Sequence, residues 1–224
     1  MHRCFRWYAR GRKLWLGLAA YLWTVTALLS SASAALPWES PERLGLDPAP
    51  LKRIAPLVKQ WLDRGEMAGC VVLIGYRGHI VYFEKYGHRA LKPKAEPMTL
   101  DTVFDLASLT KPIATATSIV QLIDRGQIRL HDPVARYLPE FAANGKEKIT
   151  IFHLLTHQGG LIPDNPLADY EEGPEEARRR IMQLKPLSPP GERFRYTDVG
   201  FIVLGWVVEK VSGMPLDKYV RKEI

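Results

Sequence analysis

Ser108 and Lys111 stand three residues apart in Ser108-Leu109-Thr110-Lys111, an S-x-x-K pattern. On a helix that spacing puts both side chains on one face, one turn apart. The chemistry it suits is nucleophilic, because a serine hydroxyl attacks poorly until a neighbouring base accepts its proton. A helix amino terminus at the serine adds a positive end and a free backbone donor where an oxyanion would form. Four residues alone do not separate this from a capping serine followed by a solvated lysine, since average composition gives a chance match about once in a chain this long. The second candidate is Tyr196, in Tyr196-Thr197-Asp198 downstream of Pro189-Pro190-Gly191. A phenol beside an ammonium can serve as general base, because the positive charge favours the phenolate. The plainer reading of Tyr196 is a half-buried aromatic. His153 and His157 are four apart, as zinc ligands are in H-E-x-x-H, but Leu154 occupies the glutamate position. With Ile151, Leu154 and Leu155 marking a packed helix, no metal ligand is assigned.

The elements that must hold these residues follow from periodicity. Leu51, Ile54, Ala55, Val58 and Leu62 recur at helical intervals and predict an amphipathic helix ended near Gly65. Cys70 to Tyr76 and His79 to Tyr86 are rich in β-branched and aromatic residues, and Arg77-Gly78 between them predicts a hairpin. From Asp101 onward the pattern is helical. Ser108 to Arg125 aligns Ile113, Ala116, Val120 and Ile123 on one stripe before Gly126. Pro112 is tolerable only in a first turn, which puts Ser108 at the amino end of that helix. Asp132-Pro133 starts a short helix, Thr150 caps another through Leu155, and Pro174-Glu175-Glu176 opens a third that runs to Leu184. Phe194-Arg195-Tyr196 is extended, a strong helix covers about Asp198 to Val211, and a last one covers Pro215 to Ile224. The class is α+β, an antiparallel sheet with flanking helices plus a helical region. A two-stranded hairpin is marginal in water, so further strands are expected to complete the sheet.

Several stretches taken together resemble one family. Phe104-Asp105-Leu106-Ala107-Ser108-Leu109-Thr110-Lys111, then Leu122-Ile123-Asp124-Arg125-Gly126 and Leu130-His131-Asp132-Pro133-Val134, are similar to the serine beta-lactamase-related family. Class C beta-lactamases, DD-peptidases and related esterases make up that group. Ile149 to Leu161 resembles its helix-and-turn signature, and Pro190 to Phe201 resembles its second catalytic motif. The likeness runs in order from about Leu44 to Ile224 and implies a beta-lactamase/DD-peptidase-like fold with covalent acyl transfer. Ser108 would attack a carbonyl, Lys111 and Tyr196 would manage its proton, the Ser108 amide would supply one oxyanion donor, and water would release the acyl group.

Two departures qualify what the resemblance implies. Asp198 stands where the family usually has asparagine, a substrate-binding position. The family's K-T-G-like triplet on a later strand has no counterpart before Ile224. The chain therefore resembles an amino-terminal portion with the C-terminal strands missing, and hydrolysis by this length alone is expected to be slight, because losing one oxyanion donor typically costs about 10²- to 10³-fold. A different class of function is a non-catalytic or decayed envelope protein that binds peptidoglycan peptides or a partner, but the joint presence of Ser108, Lys111 and Tyr196 weighs against it. No cofactor is called for. The expected partner is a small-molecule or peptide substrate, with peptidoglycan-derived peptides among the candidates.

Charge placement narrows the compartment. The chain of 224 residues carries a formal +7, which invites nucleic acid or an anionic membrane. Residues 1–34 hold Arg3, Arg6, Arg10, Arg12 and Lys13 and no acid, which leaves 26 bases against 24 acids in the remainder. No nucleic-acid role is supported. The basic stretch is followed by the apolar run Leu14 to Leu29 and by Ala32-Ser33-Ala34, the layout of a secretory signal peptide. Sixteen residues interrupted by Thr24 and Thr26 fall short of the roughly 20 that span a bilayer, so an uncleaved anchor is the lesser reading. The expected organisation is a signal at 1–34 and one incomplete domain at 35–224, periplasmic or secreted, meeting the membrane only through the export signal. Cys4 leaves with the signal, and Cys70, in an apolar run, is read as a small hydrophobe. Material exported by a bacterial host should begin at Ala35 by mass spectrometry, and an intact mass starting at Met1 in the membrane fraction would refute the cleavage.

Overall fold

A computed structural model of the chain describes residues 36–224. The expected signal over 1–34, the cleavage before Ala35 and Cys4 lie outside the described residues. The chain divides into two compact units, parting between Val103 and Phe104.

In the first unit the helix expected from Leu51 to Leu62 is broken in two. A single turn, Ala49–Lys52, precedes α1, Ile54–Asp63. Pro56 explains the break: without an N–H it cannot bond back across Arg53, so the helix restarts and carries proline in its first turn. The hairpin forms as β1, Gly69–Tyr76, paired antiparallel with β2, His79–Ala90, with Tyr76 opposite His79. Arg77 and Gly78 both take positive φ (48° and 76°), as a two-residue turn matched to strand twist requires. A two-residue strand, β3 (Glu96–Pro97), joins the far side of β2, so the sheet order is β1-β2-β3. Sequence periodicity could not reveal so short a strand. Cys70 is half-buried in β1, and that burial pushes its thiol pKa up, away from reactivity.

The second unit is helical. The stripe expected as one helix from Ser108 to Arg125 is composite: a 3₁₀ turn at Ala107–Leu109, wider π-type turns over Lys111–Ala116, then α2, Thr117–Asp124. Pro112 sits where the turns widen, a local solution for a residue that cannot donate into an α-helical ladder. Thr150 caps α3, Ile151–Leu155: its Oγ1 accepts the His153 N–H at 3.2 Å, while His153 Nδ1 accepts the Thr150 N–H at 3.2 Å. Next come α4, Pro174–Gln183, α5, Asp198–Ser212, and α6, Leu216–Glu223. The helix α5 is apolar on nearly every side because it is the core, with Val199, Val203, Leu204, Val207 and Val208 fully enclosed. Against it packs α3, through Leu154 among others. The run Arg178-Arg179-Arg180 is balanced by carboxylates, Arg178 by Glu140 at 2.7 Å and Arg180 by Asp169, Glu172 and Glu176.

Two devices fix the loops of this unit. Lys146 has no exposed surface, and its ammonium donates to the carbonyls of Ala143 (2.6 Å), Met182 (3.0 Å) and Leu184 (2.5 Å). Three donors meet three acceptors, so a cation without a carboxylate partner is still satisfied. It clamps the end of α4, where the segment leading to Tyr196 begins. That segment then runs beside residues 157–163. Leu187 N–H reaches Gly160 O at 2.8 Å, Gly191 N–H reaches Gln158 O at 2.9 Å, and Asp198 N–H reaches Pro163 O at 2.7 Å.

Gly160 is required at this crossing. Its φ is +72°, and a Cβ would lie 2.1 Å from Ser188 O. By contrast Gly126, at φ +70°, faces open space. Gly126→Ala should cost only the left-handed penalty of about 1–2 kcal/mol. Gly160→Ala should add about 1–3 kcal/mol of overpacking. Denaturant unfolding of the two variants measures the difference, and equal losses would contradict the close approach.

Candidate active site

Ser108 lies in the 3₁₀ turn, and this turn is entered under strain. Ala107 has φ +44°, a conformation that costs an alanine about 1–2 kcal/mol. Asp105 holds it there, its Oδ1 accepting the Ala107 N–H at 2.8 Å. Non-glycine residues in this region cluster at functional sites, where surrounding contacts over-determine them. The result presents Ser108 exposed at the surface rather than turned into the core.

Lys111 follows one turn later and is mostly enclosed. Its ammonium donates to Ser108 Oγ at 3.0 Å and lies 2.6 Å from Asp198 Oδ1. It also sits 4.9 Å from the ring centre of Tyr196. Burial alone would lower the Lys111 pKa, but hydrogen bonding and charge from Asp198 and then Tyr196 outweigh it and leave it raised. Lys111 is thus a cation at neutral pH. The phenol of Tyr196 moves the other way: the Lys111 ammonium first, and the Ser108 hydroxyl second, lower its pKa below the usual tyrosine range. All four residues singled out in the sequence, Ser108, Lys111, Tyr196 and Asp198, come together, although some 85 residues separate the two pairs.

Position at a helix start explains the second pair. Thr197 caps α5, its Oγ1 accepting the Gly200 N–H at 3.3 Å while donating to Ile162 O at 2.6 Å. Tyr196, just before the extended cap residue Thr197, is about half exposed. Asp198 is the first helical residue, where the positive end of α5 favours a carboxylate.

One neighbour was weighed in the sequence only as a metal ligand. His157 has φ +57°, and its ring lies 4.5 Å from that of Tyr196 with a 35° tilt. The backs of both histidines are committed to backbone rather than to each other, His153 Nδ1 to Thr150 N–H and His157 Nδ1 to Thr197 N–H at 3.2 Å. Among the described residues no group of three or more His, Cys, Asp or Glu side chains could hold a metal ion. No spacing rule links position 157 to position 196, so only the fold could reveal this contact. The apolar groove along Pro112, Ala116 and Val120 contains none of the clustered residues.

With this geometry in hand, likeness to known proteins is informative. Residues 54–224 match the family model described as Beta-lactamase. A Salmonella schwarzengrund protein with a provisional assignment as D-alanyl-D-alanine carboxypeptidase is 30% identical over 204 residues, covering 83% of this chain and 47% of that protein. Among solved structures, EstCE1, a hydrolase with promiscuous acyltransferase activity, is 32% identical with a TM-score of 0.66, over 78% of this chain and 50% of the other. The octameric penicillin-binding protein homologue from Pyrococcus abyssi is 30% identical with a TM-score of 0.67, over 78% and 42%. A class C beta-lactamase from Rhodobacter sphaeroides is 25% identical with a TM-score of 0.65, over 76% and 47%. The chain spans about half the length of the curated relatives it matches. Sequence likeness, fold likeness and the α+β arrangement of helices with a small antiparallel sheet agree, and the chain belongs to the beta-lactamase family.

Proposed function

We propose that this protein is an exported serine hydrolase that forms an acyl-enzyme at Ser108 and acts on esters, with peptides and beta-lactam-like amides as poorer substrates. The observation that carries the reading is the ammonium of Lys111 donating to Ser108 Oγ while paired with Asp198. A lysine so held is a poor base. Because Ser108 Oγ accepts from Lys111, its own proton is free to be given elsewhere, and Tyr196 is the group within the cluster whose basic form the neighbouring charge favours.

The reaction then runs in two halves. Tyr196, as phenolate, takes the Ser108 proton while Oγ bonds to the substrate carbonyl carbon. The phenol returns that proton to the leaving alcohol or amine as the carbonyl re-forms. In the second half, water gives a proton to Tyr196 as it attacks the acyl carbon, and Ser108 Oγ departs with the proton back. Lys111 stays charged throughout and stabilises the phenolate and the developing negative charge. An asparagine at position 198 could donate an amide hydrogen bond to an acylamide carbonyl, whereas the carboxylate of Asp198 only accepts. This disfavours beta-lactam and acylamide substrates relative to simple esters. Export to the periplasm or beyond, from the leader pattern, fits a substrate derived from the cell wall.

In the protein as its gene encodes it, a fluorophosphonate probe should label Ser108, and Ser108→Ala should abolish both labelling and turnover. Tyr196→Phe should lower kcat by about 10²- to 10⁴-fold, the usual worth of a general base. An unlabelled Ser108 would favour the binding-protein alternative.

The pH profile follows from the directions of the shifts. Activity requires the deprotonated phenol, so it should rise with pH through a midpoint below the ordinary tyrosine value of about 10. It should fall only where the raised Lys111 pKa is crossed. Asp198→Asn removes the stabilising carboxylate, so the falling limb should move to lower pH, and the ratio of acylamide to ester turnover should increase. Faster hydrolysis of cephalosporins than of short-chain esters by the unaltered protein would overturn the assignment for Asp198.

A further inference from the structure

We propose that His157 is a positioning residue for Tyr196: its backbone carbonyl holds the amide just before the phenol, its neutral imidazole holds the amide just after it, and protonation of the ring releases the second of these. This rests on the reading of Tyr196 as the general base. The grip is visible at two hydrogen bonds from one residue. The Arg195 N–H donates to His157 O at 2.8 Å, and the Thr197 N–H donates to His157 Nδ1 at 3.2 Å. The residues immediately before and after Tyr196 are therefore both held by position 157. The imidazole then covers the Tyr196 ring at 4.5 Å, with Phe201 at 5.1 Å and Phe194 at 5.8 Å completing the surround.

The backbone of His157 has been bent to achieve this. Its φ of +57° lies in the left-handed region, which residues other than glycine rarely visit and which asparagine, aspartate and histidine enter more often than most. In the neutral form Nδ1 accepts and the proton resides on Nε2. Protonation adds a proton at Nδ1, which then faces the Thr197 N–H donor to donor, and the bond is lost.

The surroundings favour the neutral form. The charged and titratable groups that face the ring are Lys111, Asp198 and Tyr196, while Phe194 and Phe201 supply only apolar surface. Burial first, and the Lys111 charge second, hold the imidazole below its usual pKa, against a smaller opposing effect from Asp198. At neutral pH the latch is closed.

Nitrogen-15 NMR of the full chain tests this without relying on turnover. His157 should titrate below about 6.5, the ordinary histidine value, and the Thr197 amide and Tyr196 ring signals should move in step with it. His157→Asn, which tolerates the left-handed backbone, should abolish those linked shifts. It should also return the Tyr196 titration toward about 10. Where the enzyme turns over substrate, this variant should lose about 10- to 100-fold in kcat with little change in KM, the cost of a misplaced reacting group. His157→Phe keeps the ring but not the acceptor, and should restore ring shielding of Tyr196 while leaving the Thr197 amide unbonded. A His157 that is protonated at neutral pH would overturn the proposal. So would a Thr197 amide indifferent to the His157 titration, or an unchanged Tyr196 titration in a folded His157→Asn. Failure of Tyr196→Phe to affect turnover would instead remove the general-base reading and leave the NMR coupling intact.

Discussion

The position of one ammonium group governs the geometry of this site. Lys111 Nζ touches Ser108 Oγ, pairs with Asp198 and stands over the Tyr196 ring. A charge so enclosed must be satisfied by its neighbours, because desolvation without partners would drive it neutral. Asp198 provides the compensating charge, and its presence reverses what burial alone would do to the lysine. The Lys111 ammonium first and the Ser108 hydroxyl second lower the Tyr196 phenol, against a smaller opposing effect from Asp198. Serine, lysine, tyrosine and aspartate thus form one electrostatic unit, in which Asp198 raises the Lys111 pKa and Lys111 lowers that of Tyr196.

Holding that unit together is a backbone problem. Ser108 and Lys111 are local to each other, but Tyr196 and Asp198 reach them through the start of α5. Its direction is set by the apolar surface it buries against α3 and the rest of the core. Residues 157–163 act as a rail on which the approach to α5 is laid, with hydrogen bonds at Gln158, Gly160, Ile162 and Pro163. Gly160 permits the close crossing, and Lys146 clamps the beginning of the approach with three carbonyls. Removal of any one of these would misaim the phenol, and small displacements of a reacting group are expensive in catalysis.

Two buried lysines illustrate how context decides a charge. Lys146 meets three carbonyl dipoles and the Phe141 ring but no carboxylate, and burial lowers its pKa. Lys111 meets a carboxylate and a phenol, and its pKa is raised. Their side chains are identical. The partners alone separate a structural clamp from a cation held beside the Ser108 hydroxyl.

Much of this was written in the sequence, and for local reasons. Ser108 and Lys111 are bound to share a face because their spacing matches a helical turn, and Pro112 fixes the end at which they stand. Arg77-Gly78 dictates the hairpin, Thr150 and Thr197 mark helix starts, and Gly126 and Gly213 mark ends, each through backbone preferences of single residues. Several motifs in order carried the family. Tertiary structure alone decided the rest. The buried clamp of Lys146 depends on partners far away in the chain. So does the stacking of His157 on Tyr196, which in sequence looked like half of an incomplete zinc motif. Periodicity reports the face a residue occupies on its own element. It carries no information about which distant backbone amide will meet that face, because the closing of long loops is decided by the packing of the whole core.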